Sequence, residues 1–354
     1  MPEFLYQTAK EIYSNYHNKT NNVCIVFPNK RTGLFFRKYF GEISGKTIWS
    51  PDIYTIRSFV QHISRLVIAD RTSLLFDLYE SFRNVYKKQD NNDFDLPFDR
   101  FYHLGEIILR DLDTIDSYLI DPNQIFTNIK DLEEIERRFD YMTEEEKQIL
   151  RNFWKSFTTE KRSIEKERFV ELWAKMPAIR ADFVSGLLKN KIGYEGLVYR
   201  QLAKLIDDET LKFKMYEKII FIGFNVLNKG QEKLFSYLKR ENVADFYWDA
   251  DQYYLTDKKQ EAGYFIRNNI KQFTPEQTFD MFPGFFHRKS KNVKTIGAPL
   301  EVAQAKLIES ILTGYKEKTG DSIENEKTAI ILADEHLLFP VLHSLPESIQ
   351  KINV

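Results

Sequence analysis

One cysteine in 354 residues leaves no partner for an intrachain disulfide. Cys24 stands inside the apolar run Val23 to Phe27, a setting that suits a buried small hydrophobe better than a nucleophile or a ligand. No apolar run approaches the roughly 18 residues that cross a bilayer, and the N-terminus has no basic region followed by an apolar core. The chain is therefore expected to be soluble and cytoplasmic, with no membrane partner. Histidine is scarce: His17, His62, His103, His287, His336 and His343 fall at no metal-ligand spacing. No Ser, His and Asp arrangement stands out for nucleophilic catalysis, and neither a cofactor nor a metal is expected. Net charge is nearly absent, with 51 Lys and Arg against 52 Asp and Glu, so whole-chain electrostatics argue neither for nor against a nucleic-acid partner. Any DNA contact has to come from a local patch. No fixed-period repeat is present either.

What is present is 43% hydrophobic, 29% charged and 15% aromatic residues, the profile of a globular chain whose cores lean on Phe and Tyr. The length suits two domains better than one. Residues 3–20 place Phe4, Leu5, Ala9, Ile12 and Tyr13 at helical spacing. A strand, helix, strand and helix start follow over Val23 to Ser64, with strands at Val23 to Phe27 and Thr47 to Thr55. From Thr72 to about Lys214 only helical periodicity is visible. Leu74, Leu75, Leu78, Tyr79, Phe82 and Val85 make one face, and Phe101, Leu104, Ile107, Ile108 and Leu112 another. Asp121-Pro122 opens a further helix, and Thr143 to Glu146 has capping-box spacing before Ile149, Leu150, Phe153 and Trp154. Two helices are expected over Glu165 to Lys175 and Ile179 to Leu188, and a turn over Lys189 to Gly193.

The α/β pattern then returns, with strands at Lys218 to Ile222 and Val243 to Trp248. Thr274 to Lys291 reads as a linker or long loop. Beyond it come a strand at Val293 to Gly297, a helix from Leu300 to Leu312, a strand at Thr328 to Leu332 and a helix from Glu335 to Ser344. Ile352-Asn353-Val354 reads as a strand just starting, as in the front portion of a larger architecture. The expected fold class is α/β: a parallel sheet interrupted by a large all-helical insertion, with a second α/β unit begun near Val293. The expected domains are 1–66 with 215–290, the insertion 67–214, and 291–354.

The clearest functional hint lies in residues 22–65. Seven basic side chains (Lys30, Arg31, Arg37, Lys38, Lys46, Arg57, Arg65) stand there against two acids, Glu42 and Asp52. Ligands bind open α/β sheets at the loops after strand C-termini. Two such corners, Asn29-Lys30-Arg31 and Thr55-Ile56-Arg57-Ser58-Phe59, carry the side-chain types that hold phosphates, with Phe59 and Phe35 nearby for base stacking. Gly41 to Thr47 looks like a phosphate-binding loop but is one residue short. It also has a helix before it and a strand after it, the reverse of what backbone N–H groups need to face phosphates. Lys46 thus reads as a turn lysine. Asp111, Asp113 and Asp116 open a stretch, 111–147, with twelve Asp or Glu against four Lys or Arg, read as a solvated or protein-docking helix surface. Pro51-Asp52 lacks the Glu-x-Lys strand of a nuclease signature.

Phe27-Pro28-Asn29-Lys30-Arg31 resembles motif Ia of superfamily 1 DNA helicases of the UvrD and RecB type, and Ile53 to Phe59 resembles their motif Ib. Ile219 to Phe224 lies where such helicases carry the Asp-Glu motif, with Gln231 in the following helix. Asp249-Ala250-Asp251-Gln252 resembles motif III, and Ala329 to Pro346 the motif IV region. The order of elements across the chain is most similar to the AddB-type subunit of bacterial recombination helicase-nucleases, in its Bacteroidetes form. Those subunits are inactivated helicases, often with a PD-(D/E)xK nuclease domain at the far C-terminus, which here would lie beyond Val354. The resemblance implies a RecA-like (P-loop NTPase-like) sheet over 1–66 and 215–290, a helical 1B-like insertion over 67–214, and the start of a second RecA-like domain over 291–354.

The departures from that pattern imply a loss of catalysis. No Gly-rich Lys-Ser/Thr loop precedes motif Ia, Gly223 and Phe224 stand for the two acids, and Ala333-Asp334 stands where motif IV has an arginine. Each part serves phosphoryl transfer, whose catalysis is almost entirely positioning and charge stabilisation. The expectation is a module without ATPase activity that binds single-stranded or unwinding DNA beside an AddA-like helicase-nuclease subunit in double-strand-break repair. Asn29, Lys30, Arg31, Thr55, Arg57 and Ser58 would contact phosphates, and Phe59 would stack. The alternatives are a scaffold that docks the active helicase through its acidic insertion without binding DNA, and a working ATPase using Lys46.

Overall fold

Five consecutive apolar residues, Val23–Phe27, form strand β1, and all five are buried. A run without alternation is what a parallel strand covered by helices on both faces looks like. The computed structural model describes residues 4–17, 19–90, 96–125, 143–145, 148, 164–211, 215–279, 282–288, 290–319, 328–349 and 352–354. These fall into two compact units, Met1–Arg288 and Lys289–Val354. The first is an α/β unit around a four-stranded parallel sheet. Its order is β2 (Asp52–Thr55), β1, β5 (Lys218–Ile222) and β6 (Ala244–Tyr247).

Side chains alternate across the sheet. Ile25, Phe27, Ile220 and Ile222 pack with Phe36 and Phe40 of helix α2 (Lys30–Ser44) and with Ala9 and Ile12 of α1 (Phe4–Tyr16). Cys24, Val26, Ile219 and Phe221 face the other way, onto Phe59 of α3 (Ile56–Ser64), Leu202 of helix Glu195–Asp207 and Phe235 of helix Lys229–Arg240. Burial raises the Cys24 thiol well above its ordinary range, as expected of a core residue. From β1 the chain crosses to β2 on one side, and from β5 to β6 on the other. Strand order therefore reverses between β1 and β5. No helix among the described residues is long and apolar enough to cross a membrane.

Between α3 and β5 the chain builds a helical stretch with its own core of Leu75, Leu78, Phe82, Phe101, Ile179 and Phe183. Its helices are α4 (Arg71–Asp90), α5 (Phe98–Ser117) and Ile164–Lys189, packed beside Glu195–Asp207. Two sequence expectations change here. The turn over Lys189 to Gly193 contains a strand, β4 (Ile192–Gly193), paired in parallel with β3 (Val67–Ile68). A two-residue ladder is too short to leave a period-2 pattern. The two helices expected around Pro177 are one, since buried Met176, Ile179, Phe183 and Leu187 form a continuous apolar face whose packing offsets the lost backbone bond. The capping-box helix after Thr143 lies largely outside the described residues.

The acidic stretch also departs from expectation. Asp116 is completely buried, accepting from Arg180 Nη2 at 2.7 Å, from Arg200 Nε and from the Tyr194 hydroxyl. Arg200 Nη2 also donates to the carbonyl of Ile115 at 3.1 Å and to that of Ile120, closing the end of α5. Asp113 accepts from Gly196 N at 2.7 Å, and a Cβ on Gly196 would meet the Asp113 carbonyl at 2.1 Å, so glycine alone permits this approach. These two acids are structural anchors. Local charge counting misses them because the arginines of Asp116 lie 64 and 84 residues downstream and the backbone N–H held by Asp113 lies 83 residues downstream. Residues 126–142 of the acidic stretch lie outside the described residues.

The second unit holds helix Glu301–Thr319 and a short helical segment, Glu335–Leu337 with Leu338–His343, around Ala305, Leu312 and Val341. The strands expected at Val293 to Gly297, Thr328 to Leu332 and from Ile352 do not form: these residues lie in no ladder, and Ile331 is 91% exposed. Short apolar runs suggest strands, but a strand exists only with a hydrogen-bonded neighbour.

Asp116→Ala should destabilise the first unit by about 3–5 kcal/mol in urea denaturation, because it leaves two largely buried guanidinium groups without their carboxylate. Alkaline pH should act in the same direction. Burial, reinforced by Asp245, pushes the Tyr16 hydroxyl up to about 12, and burial likewise raises Tyr194, Tyr199 and Tyr247. The unfolded chain releases these protons near pH 10, so stability is unaffected below about 10 and falls as pH rises from there toward about 12. Urea midpoints across pH 8 to 11, read by circular dichroism, check this.

Candidate nucleic-acid interface

Phe27 of β1 lies opposite Thr55 of β2 in register, so the two corners stand side by side at the C-terminal edge of the sheet. Both are built as helix starts. Asn29 is the N-cap of α2: its Oδ1 accepts from Thr32 N and from Thr32 Oγ1, both at 3.0 Å. Thr55 caps α3 in a reciprocal box: Ser58 N donates to Thr55 Oγ1 at 3.2 Å, and Thr55 N donates to Ser58 Oγ at 2.9 Å.

The expected contact residues therefore separate by what they already hold. Lys30 and Arg31 are exposed in the first turn of α2, with no acid in that turn and no side-chain partner among the described residues. The positive end of the helix dipole adds to their charge. Arg57 is half-exposed, but Nη1 lies 3.3 Å from Glu195 Oε2, so its cation is shared with the helical side of the molecule. Burial raises the Glu195 carboxyl above the usual range, with Arg57 pulling the other way. Asn29, Thr55 and Ser58 act as caps that set the backbone of the corners. The expected stacking role of Phe59 is overturned: it is completely buried, edge-on to Phe221 with ring centroids 6.0 Å apart. Its place in the motif concealed that it is an inward position of an amphipathic helix.

Arg31, Phe35 and Lys38 recur at spacings of four and three and are all exposed on α2, with Phe35 44% accessible. Phe35 is the aromatic that the interface leaves open. At the far end of α2, Gly45 closes the helix in the left-handed conformation at φ 58°, so Lys46 sits in a loop after a helix and not in a phosphate cradle.

At the switch between β1 and β5, Gly223 turns the chain at φ 72° and donates its N–H to Tyr247 O at 3.0 Å, while Phe224 packs into the core. Asp251, after β6, is used as a cap: Oδ1 accepts from Tyr253 N at 2.9 Å, and Oδ2 accepts from Phe285 N at 2.8 Å and Phe286 N at 3.3 Å. Gln231 accepts from Asn228 N at 3.2 Å and donates to the Tyr199 hydroxyl at 3.0 Å. Among the described residues no group of three His, Cys, Asp or Glu is placed to hold a metal. No protein-family model matches the chain, and no curated protein matches it.

The two classes of corner residue should behave oppositely. Asn29→Ala and Thr55→Ala should each cost about 1 kcal/mol of stability through a lost cap, whereas Lys30→Glu with Arg31→Glu should change it by less than about 0.5 kcal/mol, the usual range for exposed positions. Urea titrations of the variants separate the two.

Proposed function

We propose that the chain is a helicase-like module without ATP turnover that holds single-stranded or unwinding DNA beside an active AddA-like motor, in the manner of AddB-type subunits in recombination and double-strand-break repair. The observation that carries the reading is the pairing of two cationic corners at one sheet edge, where Lys30 and Arg31 are unpaired at an uncapped-by-acid helix start. Phosphate oxygens suit that site: the positive end of α2, two exposed cations and no competing carboxylate in the turn. Phe35 offers a stacking face and Lys38 a further phosphate contact along the helix. Arg57 joins when a phosphate draws it from Glu195.

The parallel sheet with its order reversing between β1 and β5 supports a first RecA-like motor domain, and the helical stretch takes the place of that domain's inserted subdomain. Gly223, in a left-handed turn where a working motor carries its acids, and Lys46, in a loop after a helix, favour a module that does not hydrolyse ATP. The rival reading, an acidic docking scaffold, loses Asp113 and Asp116 from its surface because both are engaged inside the fold.

Fluorescence anisotropy with labelled oligo-dT between about 50 and 200 mM salt tests this. Affinity should fall steeply with salt, and Lys30→Glu with Arg31→Glu should weaken binding and reduce the log–log slope by about 1.4, about 0.7 per lost phosphate contact. Absent or salt-insensitive binding, or binding indifferent to that double variant, would sink the proposal. ATP turnover with oligo-dT should stay at the buffer level, and turnover lost in Lys46→Ala would restore the motor reading.

A further inference from the structure

The chain treats the two edges of its sheet differently. Along β6, Glu276 N donates to Phe246 O at 3.0 Å. The buried amide of Gln277 then completes the ladder, accepting from Trp248 N at 2.7 Å and donating to Trp248 O at 2.8 Å. Thr278 fastens this strap to α1 through the Glu11 carboxylate, with N–H contacts at 3.1 and 3.2 Å. That edge is sealed. β2 ends the sheet on the other side with β1 as its one strand neighbour, and no strand or loop backbone bonds along its outer side among the described residues. An uncovered edge is a template for another strand.

Beside β2 opens a cleft of about 720 Å³ between the strand, the second half of α2 and the loop joining them. Arg37 and Lys46 line it, both exposed and both without a side-chain partner among the described residues, and Phe40, Ile48 and Ile53 supply apolar floor. The one acid in the lining, Asp52, is already bound by the Tyr216 hydroxyl at 2.6 Å. Trp49, between lining residues Ile48 and Ser50, is 85% exposed.

We propose that the β2 edge docks an extended acidic segment of a partner protein, added as a further strand. Its backbone pairs with the outward N–H and C=O groups of β2, and acidic side chains at alternate positions reach Arg37 and Lys46 over the apolar floor. Strand pairing supplies affinity and the alternating side chains supply specificity. A nucleic acid matches the two cations but not a row of alternating backbone donors and acceptors. The cleft lies along the second half of α2, away from Asn29, and the β2 edge that it flanks ends at the Thr55 corner.

The test uses a fluorescein-labelled nonapeptide of alternating Glu and Val, titrated into the full chain, with three comparisons: its Lys-for-Glu counterpart, a version N-methylated at alternate amides, and unlabelled oligo-dT as competitor. The Glu peptide should bind saturably and slow hydrogen exchange in residues 52–55. Arg37→Glu with Lys46→Glu should weaken it at least tenfold, the Lys peptide should not bind, and N-methylation should weaken binding to a similar degree. The N-methylated probe keeps the test decisive even if the double variant misfolds. The proposal is overturned by absent binding of the Glu peptide, by equal binding of the N-methylated peptide, or by oligo-dT displacing the peptide through Arg37 and Lys46.

Discussion

Burial of β1 on both faces is the constraint on which the first unit depends. A strand of five apolar residues with no polar alternation must have helices above and below it and a parallel neighbour on each side. Once that is so, every strand of the sheet ends at the same edge, and the two helix starts at Asn29 and Thr55 are forced next to each other. The adjacency of the cationic corners is thus a by-product of core packing. Neither corner needs a long loop: Pro28 and Asn29 alone join β1 to α2, and Thr55 is both the last residue of β2 and the cap of α3.

The helical stretch is attached to this frame by polar contacts more specific than its apolar core. Asp116 gathers Arg180 and Arg200 from two other helices and Tyr194 from the N-cap of the second, and Asp113 fixes the start of that helix, Glu195–Asp207, at Gly196. That helix packs Val198, Leu202 and Ile206 onto the sheet and adds polar contacts to its layer, among them Glu195 to Arg57 and Tyr199 to Gln231. Buried carboxylates in this setting hold one arrangement of helices against others, since any alternative leaves cations buried and unpaired.

Local patterns were enough to find the strands at Val23, Lys218 and Val243, the helices flanking them and the helical character of the middle of the chain. The Asn29 and Thr55 corners were legible because strand ends, caps and basic residues are all short-range signals. What could not be read were the long-range facts. Asp116 looked like surface until its two arginines came back to it, and Phe59 looked available until Phe221 was found against it. The apparent strands at Val293 and Thr328 show the converse: hydrophobic runs propose a strand, but pairing decides it.

The short ladder between β3 and β4 places the entry and exit of the helical stretch one strand-width apart. Everything between Ile68 and Ile192 is then one crossover connection between two adjacent parallel strands, whatever its length. The entropy of closing such a loop grows only logarithmically, by about 0.6 kcal/mol for each doubling. The stretch can therefore lengthen, shorten or be rebuilt in the course of descent with almost no effect on the register of β1 against its neighbours. Within this architecture the sheet is the slow variable, and the helices hung from its neck are free to diverge.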